Sequence, residues 1–440
     1  MIRCRLFAFV VIAGLTTGTT GNVSAQAAAD TLTSSFSVDG IPVILRHNTS
    51  SNVVVANVYL LGGVRQVNRG NSGIEPFLLS VSDRGTLHYP KALLRKKTSA
   101  LGSDFVVAPS VDWTMFGART ITTVLDSTWA IFADRLMYPA IQPAEVELIR
   151  SQLLSAERQA RDDPDANASD LADSVAFIGH PYSVSPTGNA ASLASITPAS
   201  LREYQRSQIV KSRMLVVVVG DVTRAHLESL IHATLGHLPL GSYKWSLPDP
   251  VPVTPSSAVL VQRELPTNYI LGYVAGPLAS SSDYTALRVA ATVLTGQMFA
   301  EIRGRQNLTY DVHAPFLERA ASVSGLYVTT VSPDTTLKLM KYFITQLQNE
   351  TVTNEGLQRL ELQFITQYFL DNETNASQAN FLARSQLYHG SYRRAMSFVS
   401  DLRSVTPEAV QAAAQKYMKN FHWAYLGDTT KVNRKLLESF

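Results

Sequence analysis

"VVVVGDVTRAHLESLI", residues 216–231, has a counterpart at the end of the chain, "WAYLGDTTKVNRKLLESF", residues 423–440. Both read as an apolar strand, a Gly-Asp turn and a helix. Upstream, "ITPASLREYQRSQI" (196–209) matches "VTPEAVQAAAQKYM" (405–418). In both, a Thr-Pro start leads into a helical run, because proline is tolerated where a helix has no N–H to satisfy. The offsets agree: Thr197 to Thr406 is 209 residues, and Gly220 to Gly427 is 207. Two coincidences at nearly one offset indicate two copies of a unit of roughly 200 residues.

The starts of the copies agree as well. "SNVVVANVYLLGG" (51–63) and "TNYILGYVAGPL" (267–278) are apolar strands, each followed by turn-rich sequence and an apolar helical stretch. Between the copies lies "GSYKWSLPDPVPVTPSS" (241–257), whose prolines favour an extended, semi-stiff linker. The domains expected are therefore 26–240 and 258–440, joined by 241–257. A chain of 440 residues is too long for one ordinary core, which agrees with two domains. Helices are expected at 143–160, 284–302 and 352–371; the second has Leu287, Ala290, Ala291, Leu294, Met298 and Ile302 on one stripe. Strands and helices do not alternate strictly. The expected class is α+β, with a mostly antiparallel sheet and helices on one face of it in each domain.

The net charge is +3, with acids and bases interspersed and no basic run, which argues against nucleic acid. The start, "MIRCRLFAFVVIAGLTTGTTGNVSAQA", has the features of a secretory leader, residues 1–25. Arg3 and Arg5 precede a short apolar core, Leu6 to Leu15, and "VSA" places cleavage after Ala25. An uncleaved N-terminal anchor is the alternative, but the apolar run is too short for a stable membrane span. Cys4, the one cysteine, lies within this leader, so the mature chain has no disulfide, thiolate nucleophile or cysteine-ligated metal.

"GIEPFLLSV" (73–81) reads by itself as ordinary core. Proline is acceptable in a helix's first turn, and Ile74, Phe77, Leu78 and Val81 make an apolar face. Only Glu75 is a good metal ligand. The histidines offer no second site. His226, His232 and His237 are spaced so that no two share a helical face, and His180 in "GHPYS" reads as a loop-ordering residue. Ser80 has no marked base or oxyanion hole for use as a nucleophile.

Taken together, "GIEPFLLSVSDRGT" (73–86), "DDPDA" (162–166), "GHPYSVSPTGNAASLASITPASLREY" (179–204), "VVVVGDV" (216–222) and "FAEIRGRQNLTYDV" (299–312) resemble the pitrilysin/insulinase family of zinc peptidases. The match runs over nearly all of the mature chain and implies the fold of the mitochondrial processing peptidases. Active members carry H-x-x-E-H on the first helix: two imidazoles on one face hold Zn²⁺, and the Glu acts as base. Here those positions are Pro76, Leu79 and Ser80. The third ligand, a Glu on a later helix, aligns with Ala156, and Glu157 is its neighbour, about 100° round the helix. The resemblance thus implies a chain without its own zinc.

A second family motif is kept. Arg303 and Tyr310, seven residues apart, stand where the family has residues that face the zinc site of another half or subunit. There the tyrosine hydroxyl donates to substrate carbonyl or oxyanion, and the guanidinium holds backbone oxygens. Read alone, they are a helix-ending Arg and a strand aromatic. Asn307 replaces a family glycine, at a place where Asn tolerates left-handed backbone. Phe299, on the same helix, is expected to be buried. The resemblance implies an exported subunit of the bacterial periplasm that binds no cofactor and pairs with a zinc-bearing homologue to enclose peptide substrates. The alternatives are a stand-alone peptide-binding or scaffold protein, and a metallopeptidase with unrecognised ligands.

Overall fold

The computed structural model describes residues 32–440; the leader and its cleavage site lie outside the described residues. Strands β1 (Thr33–Val38), β2 (Ile41–His47), β3 (Val53–Leu61), β4 (Asp104–Pro109), β5 (Trp113–Ile121) and β6 (Met214–Gly220) form a sheet of order β1-β2-β6-β3-β5-β4. Its one parallel pairing is β2 with β6. Strands β7 (Ser257–Gln262), β8 (Asn268–Leu278), β9 (Thr309–His313), β10 (Phe316–Leu317), β11 (Ala321–Thr330) and β12 (His422–Gly427) form the second, of order β10-β11-β8-β12-β7, with β9 also on β11. Here the parallel pairing is β7 with β12. The run β2-β6-β3-β5 is thus repeated as β7-β12-β8-β11. The α+β class and the mostly antiparallel sheets agree with the sequence reading.

The repeated Gly-Asp turn has one physical cause in both copies. Gly220 and Gly427 have φ of 152° and 149°. A Cβ on Gly220 would lie 2.9 Å from the Val54 Cα, and one on Gly427 would lie 3.0 Å from the Asn268 Cα. In each half the chain leaves the central strand by crossing the start of its neighbour, and only glycine fits there.

A sheet with one wet face alternates apolar and polar residues. These sheets do not: all of "MLVVVVG" (β6) and all of "HWAYLG" (β12) are buried. Each half's own helices cover one face, as expected. Phe77, Phe132 and Leu201 pack on Val54 and Val58 in the first half, and Leu287, Met340 and Val410 pack on Ile270 and Val274 in the second. The opposite face is covered by a helix from the other half. The Asn375–His389 helix lays Ala379, Leu382 and Ala383 on Val55, Tyr59 and Val217 of the first sheet. The Pro164–Ala176 helix lays Ala168, Ala172 and Ala176 on Leu271, Tyr273 and Ala424 of the second. Alanine at every fourth position keeps one face of that helix small, so its backbone comes close to the sheet.

Residues 239–256 contain no helix or strand. The segment is extended, as its prolines favour, but it is pinned. Trp245 Nε1 donates to the Leu387 carbonyl at 2.9 Å, Arg65 donates to the Ser246 carbonyl at 2.8 Å, and Val251 is buried.

Asp112, fully buried in the turn before β5, ties the halves together. Its carboxylate accepts from Tyr182 Oη at 2.6 Å, Tyr388 Oη at 2.8 Å and the Ala320 N–H at 2.9 Å. Burial, and then the charge of Asp112, push both tyrosine hydroxyls well above their ordinary range, so they remain donors. Nearby, Arg319 holds Asp173 through two bonds of 3.0 and 2.9 Å. We expect Asp112→Ala to lower stability by about 3–5 kcal/mol, because three buried donors lose their acceptor at ~1–3 kcal/mol each with partial relaxation. Tyr388→Phe should cost about 1.5–3 kcal/mol, one bond to a charged acceptor. Denaturant titration reads both; a loss under ~1 kcal/mol for Asp112→Ala would remove it from this role.

Candidate functional site

The Ile74–Val81 helix starts after Gly73, and Pro76 occupies its first turn, where no intrahelical N–H bond is lost. Ile74, Phe77, Leu78 and Val81 are buried, and so is Leu79, at 1% exposure. Pro76 and Ser80, four residues apart, share the half-buried face. Ser80 Oγ donates to the Pro76 carbonyl at 2.8 Å, so the hydroxyl is used within the helix. Among the described residues no histidine hydrogen-bonds to it, so no base is placed to make it a nucleophile.

Glu75 belongs to a structural cluster. It pairs with buried Arg213 at 2.9 Å and accepts from Tyr204 Oη at 3.0 Å. Arg213 Nε donates in turn to the Leu61 carbonyl at 2.8 Å. Burial opposes the Arg213 charge, but Glu75 and Tyr204 outweigh it and hold the guanidinium above its ordinary value. Nothing in the sequence marked this cluster, since its members are far apart in the chain.

The Pro143–Asp162 helix carries the third position. Ala156 is exposed, whereas Glu157 is largely covered. Glu157 follows buried Val146 by eleven residues, which is about 20° from the same face. The helix therefore turns Glu157, and not Ala156, toward the interior side. Its carboxylate pairs with Arg161 at 2.6 Å. It also lies near Asp170, whose carboxyl is raised by burial first and then by the charges of Asp173 and Glu157. These residues do not fit Zn²⁺. They supply a proline, a committed hydroxyl, a core leucine and one paired carboxylate, where three ligands are needed. Among the described residues, no group of three or more His, Cys, Asp or Glu is placed to hold a metal.

The histidines are otherwise engaged. His226 contacts Asp126 and His232 contacts Asp39, each at 2.7 Å. His232 and His237 come within 6.4 Å ring to ring, without a third ligand. His180 is buried; its Nδ1 accepts from the Tyr182 N–H at 3.2 Å, so Nε2 carries the proton and donates to the Asp249 carbonyl at 3.1 Å. Burial lowers its pKa, which keeps this loop-ordering imidazole neutral.

Arg303 and Tyr310 do come together. The Asp283–Met298 helix continues into a wider π-helical segment, Phe299–Arg305, a form often found at functional sites. Glu301 is taken by Arg305 and Gln306, each at 2.9 Å. Arg303 has no carboxylate partner among the described residues. Its guanidinium lies between two rings, 4.9 Å from Phe299 and 4.8 Å from Tyr310. Asn307 makes the turn with φ of 52°, the left-handed backbone expected of it. The Leu308 N–H then bonds the Ile302 carbonyl at 2.9 Å, and β9 carries Tyr310 outward, 81% exposed. The platform beneath is fixed, because Ile302 and Val312 are in the second core.

Phe299 is not buried as expected. It is 46% exposed, because one residue beyond Met298 is about 100° round the helix, off the Met298–Ile302 stripe, and its ring lies against Arg303. Phe299→Ala should therefore cost about 1 kcal/mol or less, the scale of an exposed cation–π contact. Ile302→Ala should cost about 2–5 kcal/mol. Equal losses in thermal unfolding would contradict this placement.

A second expectation concerns the first helix. The combined variant Pro76→His, Leu79→Glu and Ser80→His should fail to become an efficient peptidase, because Leu79→Glu puts an unpaired carboxylate into the core and nothing orients the new imidazoles. Zinc-dependent turnover by that variant alone would contradict the reading.

Two family models match the chain. The insulinase (peptidase family M16) model covers residues 42–185, and the peptidase M16 inactive-domain model covers 195–364. Subunit 1 of the mitochondrial cytochrome b-c1 complex of Caenorhabditis elegans is 24% identical over 415 residues, 88% of this chain and 86% of that protein. An uncharacterized zinc protease of Mycobacterium leprae is 22% identical over 401 residues, 88% and 90% of the two chains. Among solved structures, a protease from Helicobacter pylori superposes with a TM-score of 0.82 at 16% identity, covering 90% of this chain and 99% of its own. A peptidase M16 inactive domain from Pseudomonas fluorescens gives 0.81 at 19% identity, covering 90% and 98%. The structural likenesses show the fold. The two family matches, which together span more than half of the sequence, carry the assignment: this chain belongs to the insulinase family of peptidases, M16.

Proposed function

We propose that this protein is an exported, non-catalytic M16 subunit that pairs with a zinc-bearing homologue and lends Arg303 and Tyr310 to the partner's peptide site. The observation that carries this reading is a contrast within one chain. The residues at the zinc positions are apolar or already bonded, while Arg303 and Tyr310 are held on a rigid edge with no internal task. Tyr310 can donate its hydroxyl hydrogen to a peptide carbonyl where negative charge develops. The Arg303 guanidinium, packed against two rings, can hold backbone oxygens through its N–H groups. Metal chemistry would belong to the partner. Export to a bacterial periplasm rests on the leader-like residues 1–25.

A second reading is a scaffold without proteolysis. The similarity to a cytochrome b-c1 complex subunit favours it.

The mixed complex, not the isolated chain, separates the two. Tyr310→Phe removes one hydroxyl and should leave assembly intact, while lowering peptide turnover by about 10²-fold, the scale of one oxyanion donor. Arg303→Ala should act mainly on KM. Full turnover with Tyr310→Phe would end the trans-acting role and leave the scaffold.

A further inference from the structure

The second half contains a crevice of about 560 Å³ that no residue discussed so far for peptide turnover reaches. It opens between the Asp283–Met298, Asn375–His389 and Arg394–Arg403 helices. Tyr284 stands in the first turn of the first of these. Arg303 lies nineteen residues further on, about 28 Å along a helix. The two places are separate.

Two hydroxyls, those of Tyr284 and Ser385, make no hydrogen bond within the described residues and are open to the crevice. Tyr284 is 8% exposed and Ser385 is 4% exposed. The Tyr284 ring is held edge-on by Phe316, and its hydroxyl lies in the field of Glu318, Arg288 and Arg384. Glu318 bridges these two guanidiniums, one on each carboxylate oxygen. Each guanidinium has five donors, so most of them remain free of Glu318. Arg288 is fixed further by the rings of Phe364 and Phe398, at 5.5 and 5.3 Å.

The charge balance favours an anion. Arg288, Arg384 and Arg394 face two carboxylates, Glu318 and Asp401. Burial opposes ionisation of Glu318, but its two arginines hold its pKa below the ordinary value, so it stays charged. His389 at the rim is kept neutral near pH 7, because burial and then Arg394 lower its pKa. On the lining itself one positive charge is left over; the next carboxylate, Asp112, lies behind Tyr388 and is occupied by its three donors. Phe381, Phe398, Leu402 and Val405 form an apolar part of the wall, beside a polar rim that includes Ser281, Thr285 and Ser404.

We infer that this crevice binds a carboxylate carried on an apolar group, with Tyr284, Ser385 and the free guanidinium edges on the carboxylate and the Phe381–Phe398 wall on the apolar part. The site stands independently of the proposed pairing. Both a peptide's C-terminal residue and a free aryl or alkyl acid have this chemistry.

Calorimetric titration of the full chain decides the matter with three probes: N-acetyl-Ala-Phe, its C-terminal amide, and 3-phenylpropanoate. The expected result is binding of the free acid peptide and at least about tenfold weaker binding of the amide, the loss of charge-assisted bonds. Binding of 3-phenylpropanoate at similar strength assigns the site to free acids; binding of the peptide acid alone assigns it to chain termini. Tyr284→Phe removes a hydroxyl with no internal partner. It should leave the melting temperature of the free protein unchanged and weaken the acid by about tenfold, and Ser385→Ala should act in the same direction. Equal affinity for acid and amide, wild-type affinity in both variants, or no binding of any probe at millimolar concentration would overturn the site.

Discussion

Asp112 brings together groups that are 70, 208 and 276 residues away in sequence, each aimed at one of its two carboxylate oxygens. The carboxylate stays in the interior because three donors replace the water it lost. Tyr182 ends the segment that follows the Pro164–Ala176 helix, and Tyr388 belongs to the Asn375–His389 helix. Those are the two helices the halves exchange. The same contact therefore places both exchanged helices, and through them the second face of both sheets. With that face dry, β6 and β12 can be apolar throughout, and the two copies form one body over residues 32–440.

The duplication was legible because it rests on local chemistry. The Gly-Asp turn after a buried strand recurs for a steric reason, and the Thr-Pro helix starts recur as caps: Thr197 Oγ1 accepts from the Ser200 N–H, and Thr406 Oγ1 from the Ala409 N–H. The helix exchange was not legible. Ala168, Ala172 and Ala176 form a small-residue stripe, but a stripe does not say which sheet it meets. Asp112 looked like any turn acid, since its partners are remote. The candidate site divides in the same way. Asn307 was readable from its own backbone preference. Phe299 was misplaced because an aromatic was taken for core, although the helical period itself puts it about 100° from Met298 and off the buried stripe. The family resemblance aligned the third ligand position with Ala156, and only the face shared with Val146 brings Glu157, its neighbour, to the interior side.

The two candidate regions have opposite character. In the Ile74–Val81 helix, every group that could do chemistry has been drawn into structure: Ser80 bonds its own helix, and Glu75 supports Arg213 and Tyr204. At Arg303 and Tyr310 the structure spends several fixed contacts, from Ile302 to the Asn307 turn, to hold two side chains that face outward.

The most direct measurement is a titration of the zinc-bearing two-domain homologue from the same organism with this chain, followed by peptide turnover and by mass. The account predicts that each chain alone is nearly inactive, and that activity rises to a plateau at one copy of each with a matching 1:1 complex. Unchanged activity of the homologue across the titration, with no mixed complex, would contradict it.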